Sequence, residues 1–294
     1  MLEISPLEFI QDLTNPALGF LPKALCIAVV TAIVCAVVGV HVVLRGMAFI
    51  GDAVSHAIFP GIAVAFALQG SVLLGGAVAG AIVAVLIAVT SQRRQVREDS
   101  AIGIFFAAAF ALGLVIMSRI QGYTTSLTSI LFGSITGISA TDIVVSTVVG
   151  AAVIAVITVC TSRLVAVALD RETAQVMNIR VFAMDLIIYL AVTAAVVISV
   201  RAVGTILVLA LLITPAATAR LLTTRLSTMM AVSVTVGVIG AVVGLYLSWS
   251  IDLPTGATIV LTLTALFIVV WILTTIAGQR TYPVPHAKEK ECAH

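Results

Sequence analysis

Two residues in the apolar part of the sequence could bind a metal ion. Asp52 stands directly before the uncharged run 53–92, and His56 lies within it. Residues four positions apart share one face of a helix, so both side chains would point the same way. An ionisable residue inside a membrane span costs about 2.5–3.5 kcal/mol on insertion scales and is a functional candidate. Carboxylate and imidazole together suit Mn(II), Zn(II) or Fe(II), so the pair is predicted to handle a metal ion or a proton.

The same spacing allows a structural role. Asp52 could cap a helix or mark its boundary, and His56 could hydrogen-bond a neighbouring helix. Two ligands do not complete a structural zinc site, which takes four. A symmetric dimer would supply two copies of each residue around one axis, and therefore four ligands.

Further polar residues and prolines are candidates for the pathway. Ser55 lies near the edge of the face that carries Asp52. Pro60 follows His56 by four residues, so its ring would clash with the His56 carbonyl and distort that turn of the helix. The pair Thr214-Pro215 is predicted to break a later apolar run, and the freed carbonyl would line a pathway or the helix would only kink.

These residues must be positioned by helices that span a membrane. Of the 294 residues, 61% are hydrophobic and 10% are charged, and the mean hydropathy is +1.25. An ordinary soluble domain is about 45–50% apolar and about 25% charged, so a soluble enzyme and a disordered protein are excluded. The formal net charge is only +2, which gives no reason to expect a nucleic-acid partner.

Uncharged runs predict an all-α, polytopic transmembrane bundle, because a spanning helix needs about 20 mostly apolar residues. The runs lack the alternation of transmembrane strands. Nine spans are predicted, with eight as the alternative, since two short spans meet near residue 201. We interpret Asp185, at the start of one span, as an interfacial cap. The predicted spans are 24–44, 48–69, 72–91, 100–118, 141–163, 183–199, 203–222, 228–249 and 255–276.

The distribution of basic residues predicts the orientation. With the N-terminus outside and the C-terminus cytoplasmic, only Lys23, Arg119 and Arg201 of the 15 basic residues face out. The corresponding regions are an outer interfacial segment (1–20), a transmembrane domain (21–277) and a cytoplasmic tail (278–294). The polar run 120–141 is predicted to be a loop with a short helix.

The cytoplasmic loop 168–181 is predicted to contain a short amphipathic helix capped by Asp170. Such a helix between two spans suits the docking of a partner, and a solvated connector would show the same pattern. The residues that could contact a partner are Asp170, Glu172, Ala174, Met177 and Asn178.

Sequence motifs argue against an enzyme. None of the three lysines follows a glycine, so the chain lacks the Gly-Lys-Ser/Thr of a P-loop, and ATP-driven work would need a separate subunit. HExxH is absent, and the four scattered cysteines form no CxxC pair, so a cysteine metal site is not expected.

Residues 46–61 read GMAFIGDAVSHAIFPG. This segment resembles the GD-A-x-SHA-x-x-PG signature of the permease subunit of bacterial metal ABC importers of the manganese, zinc or iron type. Residues 203–219 are similar to a second segment of that family, and residues 170–179 to its coupling region. The family usually has glycine where Asn178 stands. Asparagine tolerates the left-handed conformation, so the turn is expected to be kept.

The resemblance, which covers about residues 18–276, implies more than the spacing does. It implies a homodimer in the bacterial plasma membrane, with a translocation path at or near the interface. Two cytoplasmic ATPase subunits would bind at the coupling loops, and an extracytoplasmic metal-binding protein would deliver the ion. It assigns Asp52 and His56 to metal passage. The ion is then the cargo, and no permanently bound cofactor is expected.

Two other function classes stay open at this point. An ion-coupled secondary metal transporter would work without ATPase partners, and such folds often contain inverted repeats, of which none is clear here. An intramembrane metalloenzyme would need a fuller ligand set and a catalytic base. One aspartate and one histidine suit manganese, zinc and iron alike.

Overall fold

The computed structural model describes residues 6–47, 49–92, 96–119 and 137–279, and in these ranges all regular structure is helical. The prediction of an all-α bundle is confirmed. A 3-10 turn, Pro16–Leu18, joins the first two helices. Numbered in chain order, the helices are α1 (Pro6–Thr14), α2 (Phe20–Arg45), α3 (Ile50–Ala57), α4 (Phe59–Ala67), α5 (Val72–Thr90), α6 (Glu98–Met117), α7 (Ala140–Leu169), α8 (Arg171–Val176), α9 (Val181–Val203), α10 (Thr205–Leu222), α11 (Leu226–Ile251) and α12 (Thr255–Gln279).

Within the described ranges, eight helical segments are long and apolar enough to cross a membrane. The second of them, Ile50–Ala67, consists of α3 and α4 together. The apolar part of α10, Leu207–Leu222, is shorter. All nine predicted spans therefore fall on helices, and the sidedness of the termini stays a prediction. Most of the predicted loop 120–141, and the tail from residue 280 onwards, lie outside the described residues.

Helix α2 forms the centre of the bundle. Most of its side chains are buried, and it packs against α7, α9, α10 and α11. A helix surrounded on all sides is apolar around its whole circumference, which explains why its sequence shows no polar face. Its closest crossing is with α10 at Gly39, where an added Cβ would lie 1.8 Å from the Leu212 carbonyl oxygen.

The chain turns sharply between α2 and α3. Gly46 adopts the left-handed conformation, with φ of 73°, and its N–H bonds to the last turn of α2. This conformation is easily reached by glycine, so α2 ends here. The turn leads into α3, which packs against α6, α9 and α10.

The outer helices present apolar side chains to their surroundings. Val159 of α7 is 84% exposed and Leu261 of α12 is 67% exposed. A soluble protein rarely exposes such a continuous apolar surface, whereas the hydrocarbon of a bilayer is a matching solvent. The N-terminal helix α1 is tied to α11, since Phe9 packs edge-on against Tyr246 and the Trp249 indole N–H donates to Asp12 over 3.0 Å.

Candidate metal-translocation site

Helix α3 has one buried and one accessible face. Ile50, Val54 and Ala57 are at most 1% exposed and face the bundle. On the other side, the side chains of His56 and Asp52 are 22% and 44% exposed. The sequence-based prediction that Asp52 and His56 share a helix face is therefore confirmed, and this face is the less buried one.

The imidazole of His56 has a defined orientation. Its Nδ1 lies 2.9 Å from the backbone oxygen of Asp52 and 3.4 Å from Asp52 Oδ1. A carbonyl oxygen only accepts hydrogen bonds, so Nδ1 donates to it, and Nε2 is the ring nitrogen that remains to contact a metal ion. The pair then offers one imidazole nitrogen and one carboxylate as metal ligands.

Three phenylalanine rings surround this imidazole. Phe106 and Phe110 of α6 approach it edge-on, with centroids 5.3 and 5.2 Å away, and Phe59 stacks at 6.2 Å. These rings restrict the rotation of His56 and exclude water from its flanks. Sequence reasoning did not find them. The i, i+4 spacing of Phe106 and Phe110 puts them on one face of α6, and only the packing shows which residue they contact.

Ser55 lies on a different side of α3 from Asp52 and His56, the candidate metal-ligand pair. Its side chain is fully buried, and its hydroxyl donates to the Gly51 carbonyl oxygen over 2.7 Å. The hydrogen bond satisfies the hydroxyl within its own helix. A contribution of Ser55 to the pathway stays a prediction.

Pro60 distorts the helix where the sequence indicated. Helix α3 ends at Ala57 and α4 begins at Phe59, so the regular pattern is interrupted at Ile58. Pro60 is buried against α6, and an added Cβ on Gly113 would lie 3.1 Å from its nitrogen. The interruption at Ile58 comes two residues after His56, at the end of the helix that carries Asp52 and His56.

The predicted break at Thr214-Pro215 is wrong. Helix α10 runs without interruption from Thr205 to Leu222 with Pro215 inside it. The proline is buried against α11, where its Cγ would lie 3.5 Å from a Cβ added to Gly237. Helices inside a membrane tolerate proline where neighbouring helices pack around it. The Thr218 hydroxyl bonds to the Thr214 carbonyl oxygen over 2.7 Å, and a role in the pathway for Thr214 or Pro215 stays a prediction.

The short helix predicted in the loop 168–181 is present as α8, and Asp170 caps it. One Asp170 carboxylate oxygen accepts the Glu172 N–H over 2.9 Å, and the other accepts the Thr173 hydroxyl. The hydrogen bond from Thr173, followed by that from Glu172, lowers the pKa of Asp170 because both favour its charged form. The capping carboxylate is therefore ionised at neutral pH.

Helix α8 presents a mixed surface for docking. Ala174 is 1% exposed and packs inward, whereas Met177 is 64% exposed and Glu172 is also exposed. Asn178 has φ of 59°, so the left-handed turn expected at this position is present. The exposed residues form a small knob outside the bundle, and its part in ATPase coupling stays a prediction.

The interpretation of Asp185 as an interfacial cap is wrong. Its side chain is fully buried in the first turns of α9, whose N-cap position is occupied by Arg180. Asp185 instead accepts hydrogen bonds from Arg45, at 2.8 Å, from Gln92, at 3.0 Å, and from Arg171. The sequence suggested an interface because Asp185 stands at the start of an apolar run. Its three partners come from other segments of the chain, and the sequence does not show that they meet.

The described residues contain no group of three or more His, Cys, Asp and Glu side chains that could hold a metal ion. One chain therefore offers Asp52 and His56 as an incomplete pair of ligands. An incomplete set is suited to brief occupancy by a passing ion rather than to permanent retention.

The sequence profile of the ABC 3 transport family matches residues 17–274. The chain belongs to this family. It is 40% identical over 249 residues to the "Manganese transport system membrane protein MntC" of Halalkalibacterium halodurans, which covers 85% of each chain. It is also 32% identical to the "Probable iron transport system membrane protein" of Haemophilus influenzae, over 85% of this chain and 92% of that protein.

A solved structure, "PsaBC from Streptococcus pneumoniae in complex with Fab", contains a similar chain. The TM-score is 0.80 at 35% identity, and the match covers 91% of this chain and 95% of that one. The chain is thus the permease of a metal ABC importer, a multi-pass protein of the bacterial plasma membrane. In this family ATP hydrolysis resides in a separate subunit, as the lack of a P-loop in the permease indicates.

Proposed function

We propose that the permease moves a divalent transition-metal ion into the cell through a path lined by Asp52 and His56. Manganese is the first candidate because the relative named above at 40% identity is named for manganese transport, and iron and zinc are the others. The observation that carries the proposal is the pair itself: carboxylate and imidazole are 3.4 Å apart on the accessible face of α3.

The electrostatics of the pair suit a divalent cation. An ion that leaves water for a low-dielectric interior must have its charge compensated by the protein. In a homodimer with both pairs facing one axis, two Asp52 carboxylates would balance the two positive charges. Two neutral His56 rings would complete four ligands without adding charge. We therefore infer that the permease works as a homodimer.

The energy for import would come from partner subunits. We infer that cytoplasmic ABC ATPases dock on α8, with Glu172 and Met177 at the contact, and that an extracytoplasmic metal-binding protein delivers the ion. The exposed Met177 beside the acidic Glu172 gives the contact both an apolar and a charged part. Asp170 and Asn178, both exposed, shape the two ends of α8, and the buried Ala174 packs it against the bundle.

Uptake of radioactive manganese by cells that lack the chain and re-express it tests the proposal. Asp52→Ala and His56→Ala should each lower uptake at least about tenfold, because even the loss of a residue behind a metal ligand costs about 10–100-fold in affinity. Both variants should reach the membrane in wild-type amounts, since neither side chain is buried. Competition by unlabelled zinc and iron then identifies the preferred ion.

Asp99→Asn is the matched control. It removes one carboxylate from the first turn of α6, where the side chain is exposed, and leaves the metal-ligand pair intact. Normal uptake by the Asp52 and His56 variants would contradict the proposed pathway. Uptake that continues when the ATPase partner is inactivated would favour an ion-coupled secondary transporter instead.

A further inference from the structure

A cluster of ion pairs and hydrogen bonds around a buried carboxylate joins α8 to the transmembrane bundle. We call Arg45, Glu98, Arg171, Asp185 and Tyr189 the charge cluster. Its centre is Asp185, which is fully buried and receives Arg45 Nη1 at 2.8 Å from α2 and the Arg171 guanidinium from α8. A buried carboxylate is stable only if it is paired and hydrogen-bonded, so Asp185 holds these elements together.

Arg171 also reaches a second carboxylate. Its Nη1 lies 3.4 Å from Glu98 Oε2, at the start of α6, and the Tyr189 hydroxyl donates to the other oxygen of Glu98. Arg171 is the first residue of α8. One planar guanidinium with several donors can bridge two carboxylates, which a single ammonium group does poorly. Arg171 thus fixes α8 to α9 and to α6 at the same time.

The helices held by the charge cluster lead to the metal-ligand pair. Arg45 is the last residue of α2, directly before the Gly46 turn into α3. Glu98 begins α6, and Phe106 lies eight residues later, about 12 Å along the helix at 1.5 Å per residue. Phe106 contacts the His56 ring. Two routes, each made of side-chain ion pairs followed by a helix, therefore lead from α8 toward His56.

We propose that Arg171 is a positioning residue for transport. Its ion pairs hold α8 against α6 and α9, so that a displacement of α8 moves the helices around Asp52 and His56. The proposal rests on the proposed function, in which an ATPase displaces α8. Salt-bridge networks and rigid helices are the physical carriers of such coupling. A cavity of about 370 Å³ lies beside the cluster, lined by Arg45, Glu98 and Arg171 among others, and gives α8 room to shift.

The exposure of Arg171 makes the proposal testable. Its side chain is 36% exposed, whereas that of Asp185 is fully buried. Partly exposed ion pairs contribute little to folding. Arg171→Ala should therefore leave the bundle folded, with the buried pair of Arg45 and Asp185 still in place. Asp185→Asn would remove the carboxylate that pairs with the buried Arg45 guanidinium and is a poorer test.

The first experiment measures metal transport and ATP hydrolysis by the permease–ATPase complex in liposomes, with manganese as the probe. Arg171→Ala should lower the number of ions moved per ATP at least about fivefold, the lower end of usual coupling between sites. The rate of hydrolysis and the amount of bound ATPase should stay within about twofold of wild type. Arg171→Lys should restore part of the lost coupling, because lysine keeps the positive charge but lacks the planar guanidinium that can bridge two carboxylates.

Two variants accompany it. Arg163→Ala, the matched control, removes an exposed arginine from α7 that makes no ion pair with the described residues, and should keep full coupling. Tyr189→Phe removes only the hydroxyl that bonds Glu98 and should lower coupling in the same direction as Arg171→Ala. Unchanged coupling in Arg171→Ala would overturn the proposal. Loss of ATPase binding would also overturn it, since Arg171 would then be a docking residue.

A distance measurement tests the attachment of α8 by Arg171 independently of the proposed function. Spin labels at Gln175 of α8 and Ser100 of α6, both exposed, report how rigidly the two helices are held. In the nucleotide-free complex the distance distribution should be narrow, and Arg171→Ala should broaden it whatever the transported ion is. A narrow distribution in the variant would contradict the claim that Arg171 holds α8 against α6, even where manganese uptake is normal.

Discussion

At the scale of single residues, His56 is held by one hydrogen bond and by aromatic rings on its flanks. The bond to the Asp52 carbonyl oxygen orients Nδ1, and the rings of Phe106 and Phe110 restrict the rotation of the imidazole. A weak site can discriminate between ions only if its few ligands are held in place. The affinity of the pathway should therefore depend on side chains that never touch the metal.

We predict that Phe110→Leu raises the metal concentration needed for half-maximal uptake. The substitution keeps apolar volume but removes the ring 5.2 Å from the imidazole centroid. An aromatic pair contributes about 0.5–1.5 kcal/mol, which corresponds to about a 2- to 12-fold change in affinity. Uptake kinetics over a range of manganese concentrations measure the effect, and the maximal rate should change less than the half-saturating concentration.

Phe105→Leu is the control for this prediction. Phe105 is on the same helix, and it makes no ring contact with His56 in the described part of the chain. It should leave the half-saturating concentration unchanged. Equal effects of the two variants would mean that α6 is disturbed as a whole and that the ring contact itself has no special role.

The sequence predicted that Asp52 and His56 share one helix face, but not what surrounds them. The four-residue spacing of Asp52 and His56 is a local property of one helix, and helix geometry alone places the two side chains together. The contacts of Phe110 with His56, and of Asp185 with Arg45, join residues separated by tens to more than a hundred positions. Such contacts depend on how helices pack, and one sequence carries no direct signal for them.

At the scale of helices, the segment after the metal-ligand pair is fixed by a close crossing of two backbones. A Cβ added to Gly61 of α4 would lie 2.0 Å from the Gly75 carbonyl oxygen of α5, and one added to Gly75 would lie 2.3 Å from the Gly61 oxygen. Small residues permit this approach, which compensates for the weak hydrophobic drive between helices in lipid. The crossing anchors α4, and so the helix break at Ile58.

We predict that Gly61→Ala destabilises the permease. The new methyl group would meet backbone atoms that cannot move aside, so α4 and α5 must separate. Overpacking of this kind costs about 1–3 kcal/mol. The midpoint of thermal unfolding in detergent should fall, and less protein should be recovered from the membrane.

Gly103→Ala provides the comparison. Gly103 of α6 is exposed, and a Cβ added there would have no neighbour within 4 Å. Alanine is the better helix former by about 1 kcal/mol, so this variant should be as stable as wild type or slightly more stable. If both glycine variants unfolded at the same temperature, the close α4–α5 crossing would not contribute to stability.

The helices themselves were largely predictable from the sequence, and their interruptions only in part. Long uncharged runs gave the spans, because a bilayer tolerates few charges. Two prolines behaved differently, however: Pro60 coincides with a break, whereas Pro215 lies in a continuous helix. The steric rule is the same for both residues. Both prolines are buried against a neighbouring helix, α6 for Pro60 and α11 for Pro215, so burial alone does not explain the difference.

At the scale of the whole molecule, the homodimer proposed above would complete the set of ligands. One protomer offers only Asp52 and His56, and the described residues contain no larger group of ligands. Both side chains are partly exposed beside Phe49, a large apolar residue that is 79% exposed. A two-fold axis near this face would bring two equivalent pairs together and cover the apolar surface.

We predict that one defective protomer inactivates the whole dimer. The experiment uses a wild-type copy and an Asp52→Ala, His56→Ala copy with different affinity tags, purified through both tags and reconstituted with the ATPase and manganese. If four ligands hold one ion, the mixed dimer loses half of them and uptake should fall to about a tenth of wild type or less. If each protomer contained its own path, about half of the wild-type rate would remain.

A mixed dimer of wild type with Asp99→Asn serves as the control, because it has the same tags and an intact set of ligands. It should transport at the wild-type rate. Failure to recover any protein through both tags would contradict the homodimer itself, whereas recovery with half-maximal uptake would contradict only the shared site. The result therefore distinguishes a dimer that encloses one path from a dimer that merely places two permeases side by side.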